Sequence, residues 1–134
     1  RKQNQVMKLR AHVEGLAVPA TVATVEPKDT IVTITGNRTV GKAGANANPI
    51  GRLAVPPTEA NGVGTVETKF KELVEVKTSG ALAAGVAVKL AAVDGSTGEN
   101  IVTTWLAGTD SYERLYGVVW NGTAGVGIAE VLVY

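Results

Sequence analysis

The chain predicts a mainly β protein: a small β-sandwich or barrel of about seven or eight short strands with an extended N-terminal arm. Three observations carry that reading. Short runs of β-branched and aliphatic residues recur along the chain, and in the clearest of them apolar and polar residues alternate with the period of two that half-buries a strand. Glycine, proline and Asn-Gly punctuation separates the runs, which is turn chemistry. Among 134 residues there are 16 glycines and a single Phe, so the core must be built from Val, Ala, Ile and Leu. Such a core is thin per residue.

Residues 1–16 read as an arm and residues 17–134 as a single β domain. The arm has scattered apolar residues (Val6, Met7, Leu9, Val13) but no sustained period, and ordering some fifteen residues costs on the order of 20 kcal/mol. Those few side chains cannot offset that alone, so a partner is expected to order it. Met7-Lys-Leu-Arg resembles a natural start, so Arg1 to Val6 reads as a cloning remnant or as a processed or upstream extension. Ala17 to Glu26 is β-rich, with Pro19 placing it at a sheet edge or a strand entry, and Pro27-Lys28-Asp29 makes a turn. Thr30 to Thr35 is β-branched throughout and therefore a strand. Gly36 to Pro49 reads as one long loop, and Ile50 to Val55 as a short strand stopped by Pro56-Pro57 and the Asn61-Gly62 turn.

Phe70 to Leu90 is the stretch around which the chain is organised. Phe70, Val74 and Val76 alternate with Lys71, Glu75 and Lys77, leaving Glu72 and Leu73 as exceptions. Val86, Val88 and Leu90 share a face beyond the apolar tip Ala81 to Ala84, so a hairpin of two paired strands is expected. Asp94 to Asn100 is a polar turn, Ile101 to Leu106 a strand carrying Trp105, and Gly108 to Glu113 irregular with at most one helical turn. Leu115 to Trp120 and Val126 to Tyr134 flank Asn121-Gly122, the strongest short-range hairpin signal in the chain. In the last strand Ala129, Val131 and Val133 share one face.

Composition excludes more than it assigns. With 13 basic and 12 acidic residues the net charge is +1, which argues against general nucleic-acid or membrane-surface binding. No apolar run reaches the length of a membrane span, and the opening Arg-Lys-Gln-Asn-Gln is too polar for a signal peptide. There is no cysteine, so a subunit interface is the natural substitute for disulfides or a thiolate metal site. His12 is the only histidine, and neither a metal centre nor a nucleophile pair can be assembled around it. No catalytic residue, cofactor site or metal site is predicted.

Gly36-Asn37-Arg38-Thr39-Val40-Gly41-Lys42-Ala43 has the glycine and lysine spacing of a phosphate-binding loop, but Ala43 replaces the hydroxyl residue and no helix follows. An enzyme using Lys42 is therefore a distant rival, to be revived only by nucleotide binding lost in Lys42→Ala. Asp94, Glu99 and Asn100 lack calcium-loop spacing and suit a turn. Trp105, Trp120 and Tyr134 invite a sugar-stacking reading; core or interface is preferred because aromatics are scarce.

Three segments together resemble the small head decoration, or capsid cement, proteins of tailed bacteriophages. They are Pro49-Ile50-Gly51-Arg52-Leu53, the stretch from Phe70 through Ser79-Gly80-Ala81-Leu82-Ala83-Ala84-Gly85 to Val88, and the ending Leu115-Tyr116-Gly117-Val118-Val119 to Val133. The resemblance implies a compact, mostly β fold, lambda-type homotrimers on the outer capsid surface of the virion, and an arm that orders against the major capsid protein. On that basis Val6, Met7, Leu9, Arg10 and Val13 are expected to touch the capsid, and Ala81, Leu82, Trp105 and Trp120 to make oligomer or lattice contacts. The expected function is structural stabilisation of the head. A phage tail or fibre module, or a carbohydrate-binding β module, is the alternative.

Overall fold

A computed structural model describes residues 8–68 and 71–133. Among them the chain forms eleven strands: β1 (Lys8–Val13), β2 (Leu16–Val22), β3 (Ile31–Gly36), β4 (Thr39–Lys42), β5 (Gly51–Val55), β6 (Gly62–Thr68), β7 (Lys71–Thr78), β8 (Ala87–Val93), β9 (Asn100–Thr104), β10 (Leu115–Asn121) and β11 (Ile128–Val133). The only helical element among the described residues is a 3₁₀ turn at Tyr112–Arg114, preceded by Ser111, whose side chain makes no capping hydrogen bond.

Ten strands build two small barrels. The first closes in the order β2-β4-β3-β5-β6, and the second runs β7-β11-β10-β8-β9 and closes by pairing β9 with β7. β1 belongs to neither ring; it lies antiparallel on β7, with Leu9 opposite Val74 and Val13 opposite Lys71. Each barrel has its own core. Val22, Val32, Leu53 and Val66 fill the first, and Val74, Val88, Leu90, Val102 and Val131 the second. Full burial of each such side chain stabilises by roughly 1.5–3 kcal/mol.

The two barrels are one topology used twice, strand for strand. β2, β3, β4, β5 and β6 correspond to β7, β8, β9, β10 and β11. The parallel pair Thr21↔Thr39 and Val22↔Val40 repeats as Lys77↔Ile101 and Thr78↔Val102. Bulges repeat as well. β3–β4 slips after Ile34↔Val40 where β8–β9 slips after Leu90↔Val102, and β5–β6 slips after Leu53↔Val66 where β10–β11 slips after Val119↔Val131. Even the turn before β3 recurs: Asp29 N–H donates to Leu53 O at 2.8 Å with φ 72°, and Gly85 N–H to Val119 O at 2.8 Å with φ 88°. Val32 with Val88, Val40 with Val102, Gly51 with Gly117 and Val66 with Val131 are identical pairs in this register.

The repeats are not separate beads. Ile31 and Ala43 from the first unit pack into the second core. Asn100 Nδ2 donates to Ala43 O at 2.9 Å inside the junction, and Asn46 N–H donates to Leu90 O at 2.9 Å.

Four expectations are corrected. Two barrels replace a single sandwich or barrel, and the strands exceed seven or eight. The expected hairpin from Phe70 to Leu90 does not form: β7 pairs with β1, β11 and β9, while β8 pairs with β10 and β9. Its connection instead crosses the barrel end, burying Leu82 and pairing it with Thr123. The loop from Gly36 to Pro49 contains β4, because Val40 finds a core position opposite Ile34.

Other expectations agree with the structure. β10 and β11 pair antiparallel as expected, with Ala129, Val131 and Val133 buried, although Asn121 stays in β10 opposite Glu130 and residues 122–127, not an Asn-Gly turn, make the connection. Pro19 falls on the half of β2 that has β6 as its only neighbour, since β4 pairs with β2 at Thr21 and Val22 alone. Thr21 and Ala23 turn their N–H groups toward β4, so by strand alternation Pro19 places its missing donor on that open side.

Candidate interaction surfaces

The residues expected at the capsid fall into two groups. Val6 and Met7 lie outside the described residues, as do Phe70 and Tyr134. Leu9, Arg10 and Val13 lie on β1, with Arg10 at the bulge in its pairing with β7. His12 sits opposite Glu72 in that register. β1 reaches β2 through Glu14 and Gly15, and this connector is fastened to β6: Gly15 N–H donates to Glu67 Oε2 at 2.9 Å, and Thr68 Oγ1 donates to Leu16 O at 3.0 Å.

The oligomer candidates also divide. Leu82 is buried in the second core, and Ala81 is exposed beside it. Trp105 is half-buried, its Nε1–H donating to Ser111 O at 2.8 Å. Trp120 stands exposed at the bulge of β10.

The phosphate-loop spacing forms no cradle. Gly36 to Thr39 make the β3–β4 turn, with Arg38 at φ 53°, and Lys42 Nζ donates to Gly98 O at 2.5 Å across to the second unit. Asp94 likewise serves its turn, accepting from Ser96 N–H at 2.8 Å and from Lys77 Nζ at 2.8 Å. Among the described residues no group of three His, Asp or Glu side chains could hold a metal ion.

Sequence reading missed the ionic cluster on the first barrel. Arg52 Nε and Nη2 donate to Glu67 Oε1 at 2.9 and 2.8 Å, and Nη1 donates to Asp29. Burial works against the Arg52 charge, but the Glu67 hydrogen bond and the charges of Glu72, Asp29 and Glu67 prevail and raise its pKa. Burial, with a smaller contribution from Glu72, pushes the Tyr116 hydroxyl far above its ordinary range. The one signal available beforehand was Glu72 itself, a carboxylate on the apolar side of an otherwise regular alternation.

A second cluster fixes the loop between β9 and β10. Asp110 accepts from Lys89 Nζ at 2.6 Å, Leu106 N–H at 2.8 Å and Arg114 Nη1 at 3.4 Å. The Lys89 bond, followed by the Leu106 N–H, holds its carboxyl below the ordinary 3.8, and Lys77 followed by Ser96 does the same for Asp94. Both carboxylates are thus easier to ionise folded than unfolded. Their contribution is complete above the unfolded value and is lost as pH falls through the lower folded values. Thermal midpoints are expected to hold down to about pH 5 and drop below about pH 4, with a shallower drop in Asp110→Asn.

No family model matches the chain, and no curated protein matches it. Among solved structures, the crystal structure of the head fiber gp8.5 N base in bacteriophage phi29 aligns over 92% of this chain and 95% of that chain. The identity is 12% and the TM-score 0.49, a likeness that carries neither fold nor function to this chain.

Proposed function

We propose that the chain is a non-enzymatic decoration, or cement, protein that binds the outside of a phage head and stabilises the major capsid lattice. The observation that supports this most is the position of β1. It stands outside both barrels, at the end of its sheet, and among the described residues it pairs on one side only. A strand so placed keeps a row of N–H and C=O groups with which an exposed capsid edge can continue the sheet. Arg10 and Lys8 add positive charge for an acidic surface. The segments that resemble cement proteins point the same way.

Co-sedimentation with heads that lack a decoration protein tests the reading. The intact chain is expected to pellet with heads, and a chain lacking residues 1–13 to remain in the supernatant while melting cooperatively, because both barrels close without β1. Equal binding by the shortened chain would remove the arm from the interface. Failure of the intact chain to bind would remove the function.

A further inference from the structure

The internal repeat allows two equivalent strand edges to be compared. Just past β7, Ser79 N–H donates to Val102 O of β9 at 3.1 Å; just past β2, Ala23 N–H donates to Val40 O of β4 at 3.2 Å. The two bonds hold the same place in the two barrels. Backbone groups alternate along a strand, so those of Glu75, Leu73 and Lys71 turn to this side of β7, and those of Pro19 and Ala17 to the matching side of β2. Each closing strand covers only one end of that side. β9 pairs with Lys77 and Thr78, and β4 with Thr21 and Val22. On β7 the remainder is taken by β1, which sets Val13, Ala11 and Lys8 opposite Lys71, Leu73 and Glu75. On β2 no further strand pairs there among the described residues, and Ala17 and Pro19 are exposed.

The two edges differ in their donors. The β2 residues that correspond to Lys71, Leu73 and Glu75 are Gly15, Ala17 and Pro19. Pro19 has no N–H to give, and Gly15 N–H already donates to Glu67 Oε2 at 2.9 Å. Of the three, Ala17 is left to receive an incoming strand. The proline also stands where it does no harm to the barrel. Val18 and Ala20 lie opposite Val66 and Gly64 of β6 and turn their N–H groups to that ladder, so a proline at either would break it, whereas Pro19 removes a donor from the uncovered side alone.

The molecule carries a second open edge that could use the first. Thr78 N–H donates toward β11, to Gly127 O at 2.9 Å, so by alternation Val74 and Glu72 also turn their backbone groups to β11. Leu9 and His12, which stand opposite them, therefore point theirs away from β7. Pairing the outward edge of β1 in one copy with the β2 edge of the next would join two different surfaces, a contact that adds copy to copy.

We propose that Pro19, together with the Gly15–Glu67 bond, closes the β2 edge against β1 of a second copy and so keeps the outward edge of β1 for a partner other than this chain. A strand that finds too few donors gains too little to stay, and proline on an edge is a recurrent means of preventing edge-to-edge association. The inference stands on these two edges and holds whatever partner β1 takes.

Sedimentation velocity over a wide concentration range tests it, on the unaltered chain, on Pro19→Thr, and on Pro19→Thr combined with Ala17→Pro or with His12→Pro. Pro19→Thr is expected to show a weight-average mass above that of the unaltered chain and still rising with concentration. Ala17→Pro moves the missing donor two residues along the same side, and His12→Pro removes a donor from the outward edge of β1; each should return the mass to that of the unaltered chain. A Pro19→Thr mass equal to the unaltered one at every concentration overturns the proposal, and so does added association that survives either second substitution. Circular dichroism with melting checks folding. Should Pro19→Thr misfold, amide exchange in the unaltered chain decides: the Ala17 amide is expected to exchange at least about 10-fold faster than that of Leu73, its β1-covered counterpart. Equal protection of the two would mean that the β2 edge is already bonded, and overturns the proposal.

Discussion

Gly117→Ala is expected to lower stability by about 3 kcal/mol or more, with the second barrel failing first. A Cβ at Gly117 would lie 2.2 Å from Leu132 O and 2.9 Å from Val131 Cγ1. The nearer atom is backbone, paired within β10–β11, so no rotamer change relieves the overlap. Relief would require moving two strands of a closed ring apart, which strains the pairing all the way round. Gly51, the corresponding residue of the first repeat, meets the same obstacle, its Cβ falling 2.2 Å from Glu67 O. Gly51→Ala is expected to be about equally damaging. Gly80→Ala is the control, with no atom within 4 Å of the added carbon and an expected change within about 0.5 kcal/mol. Urea unfolding of the three variants checks this. A Gly117→Ala midpoint equal to that of the unaltered chain would show that the β10–β11 approach is looser than described.

Arg52→Met is expected to cost about 3 kcal/mol at neutral pH, because it leaves carboxylates without the cation that offsets their burial. Glu67 and Asp29 lose direct partners, and Glu72 loses a nearby positive charge. Gln at position 67 offers a check, since Arg52→Met with Glu67→Gln should be more stable than Arg52→Met alone. A deficit unrelieved by Glu67→Gln would mean that the Arg52 stem, and not its charge, carries the effect. The connector is coupled to the same site through Gly15, so faster amide exchange in Leu9 to Val13 should accompany the loss.

Gly51 and Gly117 also show what separates legible from illegible features. Both appear in the sequence as ordinary strand glycines beside apolar residues. Their requirement for hydrogen in place of a side chain arises from the carbonyl of a strand some fifteen residues away, which no local pattern encodes. The Arg52 cluster is hidden for the same reason. Asp29, Arg52 and Glu67 sit in a turn and two strands that meet only once the barrel closes. Leu82 misleads in the opposite way, reading as the apolar tip of a hairpin although its connection folds across the barrel mouth into the core.

What the sequence determined by itself is the local state of the chain. β-branched runs, period-two alternation and Asn-Gly, Pro and Gly punctuation specify strands and turns, because backbone sterics and the facing of alternate side chains are properties of neighbouring residues. They sufficed for β3, β5, β10, β11 and the buried face of the last strand. Tertiary structure decided partnership: that β7 leaves β8 for β11 and β9, that Thr39 to Lys42 joins a sheet, and that the strands divide into two rings. Alternation says which face of a strand is buried but not which edge is bonded, and edges are chosen by closure across long sequence separations. With small aliphatic side chains and a single Phe in the whole chain, two narrow barrels fill where one wide core would leave voids.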